Sequence, residues 1–175
     1  DHPAFHRDFH WDLANAERVV RAYLPLIRDG ALSACIDQLT RYHETMVAPR
    51  RADFRLSVIH GDVNDYNVLV DGTRQTVTGI FDFGDMVHSQ TVNDVAIAMA
   101  YVTLGSDDPL AAAAEVAAGY HRTNALTEPE IEALFSLMCM RLCMSACLAA
   151  KQTAERPGDD YLAISQGPLE RTLPQ

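Results

Sequence analysis

Positive charge is scarce in this sequence. Lysine and arginine total 14 against 24 aspartates and glutamates, a formal net charge of -10. That is the wrong sign for a surface that neutralises phosphate backbones, so no nucleic-acid partner is expected. The acidic balance suits a cationic substrate such as an amine, or serves solubility alone. The one lysine is Lys151, and none of the nine glycines stands two positions from another. The chain therefore lacks both a Gly-x-Gly loop to fold over nucleotide phosphates and a lysine ahead of its motifs to grip them. Cysteines number four, and Cys139, Cys143 and Cys147 recur every fourth residue with no histidine close by in sequence. They read as small hydrophobes on one buried helix face rather than as zinc ligands. Reduced thiols of this kind fit a cytoplasmic protein. Asp1–His10 has no charged-then-apolar layout, so no export is expected. Leu134–Ala150 is short for a membrane span and carries Arg141 near its middle, which favours a core helix paired with a buried carboxylate. The opening on Asp1 rather than methionine gives the expectation of a piece cut from something longer.

With 175 residues and 48% hydrophobic content, one domain over 1–175 is expected. Apolar residues at helical spacing predict helices over Trp11–Ile27 and Leu32–Val47, an antiparallel pair. Leu56–Ile59, Asn67–Val70 and Thr76–Phe81 read as strands around the Asp71-Gly72 turn signal, a small hairpin island entered through the polar loop Gly61–Asp65. Helices return over about Val92–Leu104, Pro109–Asn124, Thr127–Ala154 and Asp159–Leu173, with Thr127 and Glu130 spaced as a capping box. The fold class is α+β, mainly α.

The chemistry is concentrated in Ile59-His60-Gly61-Asp62-Val63-Asn64-Asp65-Tyr66-Asn67-Val68-Leu69-Val70 and in Gly79-Ile80-Phe81-Asp82-Phe83-Gly84-Asp85. The first holds His-x-Asp, then Asn five places after the Asp; the second is Asp-Phe-Gly at a strand end. Phosphoryl transfer needs such a set: a carboxylate to take the proton of the attacking hydroxyl, and oxygen ligands to hold magnesium against phosphates. Pairing across Asp71-Gly72 would bring Asn67 and Asp82 to one end of the hairpin.

Over about Val58–Tyr101 these motifs resemble the aminoglycoside phosphotransferase and choline kinase family, relatives of the protein kinases. The resemblance implies the C-terminal lobe of a kinase-like fold, with Asp62 as catalytic base, Asn67 and Asp82 as magnesium ligands, and His60 as a loop-positioning residue. Asp94 is implied as a structural acid that caps the next helix and ties down the catalytic loop. Asn64, Asp65 and Asp85 lie where the family loop faces substrate, or are solvated loop and turn residues. His10, Trp11 and Asp12 line the acceptor pocket or staple the first helix. ATP and Mg2+ follow as donor and cofactor, with a small-molecule acceptor bound in the helical region of about 109–173.

Within the family the wording Val-Ile-His-Gly-Asp, Asn-Val-Leu-Val-Asp and Gly-Ile-Phe-Asp-Phe-Gly-Asp most resembles the hydroxylysine kinase and homoserine kinase-like branch. That implies an amino alcohol or hydroxy amino acid as acceptor and, as in some relatives of that branch, a fusion to a pyridoxal-phosphate aminotransferase. The ATP-gripping amino-terminal lobe is absent from the chain, and the piece alone is expected to be inactive. A non-catalytic binding or scaffold module and a paired-carboxylate hydrolase are the competing classes, separated from a kinase by Mg2+ and ATP dependence.

Overall fold

A computed structural model describes residues 2–73 and 76–156. Five α-helices and four short strands follow one another among these residues: α1 Ala16–Tyr23, α2 Gly30–Met46, β1 Leu56–Ile59, β2 Val68–Val70, β3 Val77–Ile80, β4 Val87–Gln90, α3 Val92–Thr103, α4 Pro109–Thr123 and α5 Glu128–Glu155. The helix expected over Asp159–Leu173 lies outside the described residues.

Local chemistry sets the boundaries. The first expected helix divides into a 3-10 turn at Leu13–Asn15, α1, and a second 3-10 turn at Leu24–Leu26. Asp12 starts the first piece by accepting the Ala14 N–H at 3.0 Å, and Pro25 supplies no N–H to continue the α ladder. Asp29 accepts the N–H groups of Ala31 and Leu32 at 2.8 and 3.0 Å, so α2 begins two residues earlier than its apolar pattern predicts. Thr127 N–H donates to Glu130 Oε2 at 2.9 Å, as the capping-box spacing requires. The same carboxylate takes a two-pronged grip from Arg55, at 2.9 and 2.7 Å, which ties the start of α5 to the entry of β1. Burial alone would raise the Glu130 carboxyl, but the Arg55 fork and two backbone N–H groups hold it below the usual carboxylate range.

The helices do not pair as their order predicts. Instead of lying chiefly on one another, α1 and α2 each pack mainly against α5, and α3 lies between α4 and α5. The long helix α5 is therefore the axis of the core. Its most apolar window is hydrophobic enough to cross a bilayer, yet 78% of that window is buried within the protein. Cys139, Cys143 and Cys147 are buried on it, and none of the four cysteines is in a disulfide. Burial pushes the Cys139 thiol up to about 11 and the Cys147 thiol to about 12. Neutral thiols packed in this way serve as small apolar groups.

His43 on α2 is 2% exposed, with Nδ1 2.9 Å from Ser136 Oγ of α5. Burial, helped by the positive charge of Arg51 and opposed by Glu44, lowers it from 6.5 to about 4. Glu17 stands 3.4 Å from Nε2, but Arg51 already engages that carboxylate at 2.9 Å, so burial prevails. Above pH 6.5 the ring is neutral both folded and unfolded. Between pH 6.5 and 4 the unfolded chain takes the proton and the folded one refuses it, so stability falls on acidification by up to about 3 kcal/mol. Urea midpoints measured from pH 7 to 4 are expected to show this loss, and a His43→Gln variant to lack that component.

The two sheets are nested. β1 pairs antiparallel with β4 from Leu56↔Gln90 to Ile59↔Val87. The β2–β3 hairpin, with Val68↔Ile80 as its inner pair, is inserted between those strands. The expected hairpin is present, but β4 answers no expectation: Val-His-Ser-Gln is too short and polar to read as a strand. Nesting has a geometric result. Residues 60–67 and 81–86 are two opposed loops, held between the Ile59–Val87 pair on one side and the Val68–Ile80 pair on the other.

Candidate active site

Asp62 lies at the centre of the first loop. Its Oδ2 accepts from Asn64 Nδ2 at 2.9 Å and from Asn67 Nδ2 at 3.0 Å. The Asn67 amide also donates to the Asp62 carbonyl at 2.9 Å, closing the loop on itself. Asn64 organises the same turn, because its Oδ1 accepts the N–H groups of Tyr66 and Asn67. Both of its amide atoms are thus engaged within the loop. Asp65 is exposed on the outer side of that turn.

The two loops are stitched together through His60. Its Nδ1 accepts the Asp62 N–H at 3.3 Å, so Nε2 carries the proton and donates to the Phe81 carbonyl at 3.0 Å. Phe81 N–H in turn donates to the Asn67 carbonyl at 3.1 Å. Asp82, the next residue, follows directly from that bridge. It is the one non-glycine residue with a left-handed backbone among those described, at φ 62° and ψ 66°. Aspartate tolerates this region better than most residues, and such strain gathers at functional sites. The bend aims the chain back toward the first loop, and Asp82 Oδ1 accepts the Gly84 N–H at 3.4 Å.

Further contacts fix the approach. Gly61 has φ 81°, and its Cα faces the Asp85 carbonyl so closely that an added Cβ would sit 2.8 Å from that oxygen. Gly61 N–H donates to Asp94 Oδ1 at 3.1 Å. Asp94 therefore ties down the loop as expected, but it does not cap α3: it sits in the first turn, and Thr91 holds the cap position. Burial pushes the Asp85 carboxyl up, and the charges of Asp62 and Asp82 add to that push against Arg141 and Arg7. Three carboxylates thus share one field.

Residues remote in sequence complete the surroundings. Arg141 Nη2 donates to Asp62 Oδ1 at 2.9 Å, so the one charge of the apolar run 134–150 pairs with the carboxylate at the centre of the motif. Trp11 contributes its carbonyl and its ring to Arg141, while Asp12 accepts from Ser89 Oγ at 2.7 Å on β4. His10 is exposed and contacts the rings of Phe9 and Trp11. Arg7 and Tyr101 are additions that no motif announces: Arg7 donates to the carbonyls of Gly84 and Met86, and the Tyr101 hydroxyl accepts from Arg141. Among the described residues no group of three or more His, Cys, Asp or Glu side chains is gathered for a metal ion. Asn67 Oδ1 and the Asp82 carboxylate are oxygen donors of the kind that suits a hard cation also taking ligands from phosphate and water. A hollow of roughly 210 Å³ between α2 and the start of α5, lined by Tyr42, Arg50, Phe54 and Glu132 among others, contains none of these residues.

Residues 1–133 match the model of the phosphotransferase enzyme family, APH. The chain belongs to that family. Its mainly helical α+β architecture with small antiparallel sheets is that of a kinase-like lobe in this phosphotransferase family. The chain is 33% identical to hydroxylysine kinase from Xenopus laevis over 166 residues, 90% of this chain and 44% of that protein. It is 32% identical to hydroxylysine kinase from Mus musculus over 170 residues, 92% of this chain and 45% of that protein. The Danio rerio hydroxylysine kinase is 29% identical over 161 residues. The chain therefore spans less than half the length of the curated relatives it matches.

Proposed function

We propose that this chain is the catalytic-loop lobe of an ATP-dependent small-molecule phosphotransferase, and that the parent protein moves the γ-phosphoryl group of ATP to a hydroxyl of an amine-bearing acceptor. The observation that carries this reading is the convergence on Asp62. Among the described residues, two asparagine amides occupy its Oδ2, and Arg141 alone occupies Oδ1. A carboxylate offers about four lone-pair directions. Oδ1 therefore keeps one for an incoming hydroxyl, and it is the atom at which the acceptor's proton would be received. Asn67 and Asp82 are assigned to the metal. When bound, a magnesium ion held by Asn67 Oδ1 and the Asp82 carboxylate supplies charge neutralisation at the phosphates. His60 and Asp94 position the two loops, and Asp85 adds negative charge beside them.

The acceptor class rests on the hydroxylysine kinase relatives and on the acidic balance of the chain, which together favour an amino alcohol or hydroxy amino acid. In this reading residues 58–101 are the catalytic core and 109–173 the acceptor-binding region, of which 157–173 lie outside the described residues. The ATP-gripping lobe belongs to the rest of the parent. Exposed Leu69, Val77, Ile80, Phe81 and Phe83 beside the loops support a further part of the parent covering this rim. A cytoplasmic setting belongs to the same proposal.

The parent, titrated with Mg2+ at fixed ATP, is the direct test. Asp82→Ala is expected to raise the Mg2+ concentration for half-maximal turnover by more than the roughly 10–100-fold that loss of an outer-shell partner costs. Unchanged Mg2+ dependence would remove Asp82 from the metal. The lobe alone is expected to turn over poorly, since contacts to the β and γ phosphates come from elsewhere.

A further inference from the structure

We infer that Arg141, on the last described helix, is the positioning residue of the catalytic base, a role no motif assigns to it. The inference rests on the reading of Asp62 given above. Arg141 is 2% exposed, and a cation in such a place needs compensating partners. Its guanidinium lies 4.9 Å from the Trp11 ring centroid and 5.4 Å from that of Tyr101. Nη1 donates to the Trp11 carbonyl at 3.2 Å, and Nη2 donates both to the Tyr101 hydroxyl at 2.9 Å and to Asp62 Oδ1 at 2.9 Å. The fork is thus anchored from the chain's first turns and from α3, and one nitrogen is left pointing at the base.

Stability alone does not explain this arrangement. Buried ion pairs are often no better than an apolar replacement of the same shape, and Arg141 Nε is buried with no hydrogen-bond partner among the described residues. What the pair does achieve is direction. With Oδ2 fixed by Asn64 and Asn67, the Arg141 bond to Oδ1 removes the last freedom of the carboxylate to rotate. The one remaining lone pair then faces a single direction. A planar, pre-organised fork is suited to that task, and a flexible ammonium is not. One face of each of the Trp11 and Tyr101 rings is turned to this internal cation.

The test uses the full-length parent and compares Arg141→Met, Arg141→Lys, Arg141→Ala and Tyr101→Phe with Asp62→Asn. Arg141→Met is expected to lower kcat by about 10²-fold, the cost of misplacing a reacting group by about an ångström. KM for the acceptor and the affinity for Mg2+·ATP are expected to stay within about threefold. Arg141→Lys recovers little of the loss. Millimolar guanidinium ion is expected to restore kcat at least tenfold in Arg141→Ala and to do nothing for Asp62→Asn. If the Arg141 variants fail to fold, Tyr101→Phe removes one anchor from the fork and is expected to lower kcat severalfold at unchanged nucleotide affinity. Wild-type kcat in Arg141→Met, no rescue by guanidinium, or wild-type kcat in Tyr101→Phe where that variant stands alone overturns the inference while an inactive Asp62→Asn leaves Asp62 as the base. An active Asp62→Asn overturns both readings at once.

Discussion

Asp62→Asn in the full-length parent is expected to lower kcat by about 10²–10⁴-fold, the usual worth of a positioned acid–base group. The substitution keeps the shape of the side chain and removes its capacity to take a proton at Oδ1. A second effect accompanies it. Arg141 loses its anion, and stripping one partner from a buried pair costs about 3–5 kcal/mol when both ends are dry. The Asp62 side chain is 23% exposed, so water reaches its end of the pair and the lower part of that range is expected. Turnover is therefore to be measured well below the melting temperature of the variant, alongside Mg2+·ATP binding, which Asn67 and Asp82, the proposed metal ligands, are expected to continue to support. Turnover within tenfold of wild type at saturating substrate would remove Asp62 from the role of base.

Gly61→Ala is the largest expected structural effect from a single added methyl group. At φ 81° a residue with a Cβ sits in the left-handed region, at a cost of roughly 1–2 kcal/mol. The new Cβ would also lie 2.8 Å from the Asp85 carbonyl oxygen, which is backbone and has no rotamer to escape into. Relief requires the 60–62 segment to move off the 82–86 segment, with an overpacking cost of roughly 1–3 kcal/mol. Gly105→Ala provides the control. Gly105 has φ 77° but nothing within 4 Å of an added Cβ, so it shows the conformational part alone. Urea unfolding of both variants is expected to place Gly61→Ala lower than Gly105→Ala, and only Gly61→Ala is expected to reduce kcat in the parent. Equal stability of the two would mean that the loops do not press on each other at Gly61.

Much of this architecture was legible where one local rule governs. Helical spacing located α2 through α5 to within a few residues, the capping box marked the start of α5, and the hairpin was visible in its β-branched strands and Asp71-Gly72 turn. The order His60, Asp62, Asn67, Asp82 announced a loop facing a strand end. Features that depend on distant partners were not legible. Val87–Gln90 becomes a strand because β1 offers it an edge, not because its residues favour extension. Asp94 was expected to cap α3 as well as to tie down the loop, yet its carboxylate turns to Gly61, 33 residues earlier, and the cap position falls to Thr91. The packing of α1 and α2 against α5 follows from a helix apolar on nearly every side, which competes successfully for both. Asn64 read as a substrate-facing or a solvated loop residue, and the bonds that both ends of its amide make within the loop were not visible. Arg141 carried a visible signal, a lone charge in an apolar run, but nothing in the sequence could name Asp62 as its partner.

The bond between Arg141 and Asp62 joins residues 79 positions apart, and that span has a meaning during synthesis. The ribosome delivers the carboxylate early and the guanidinium late. Until α5 has emerged and docked, the nascent polypeptide holds this acidic side chain without its cationic partner. Pairing of the carboxylate therefore waits on α5, a segment the ribosome makes after both of the loops that surround that side chain.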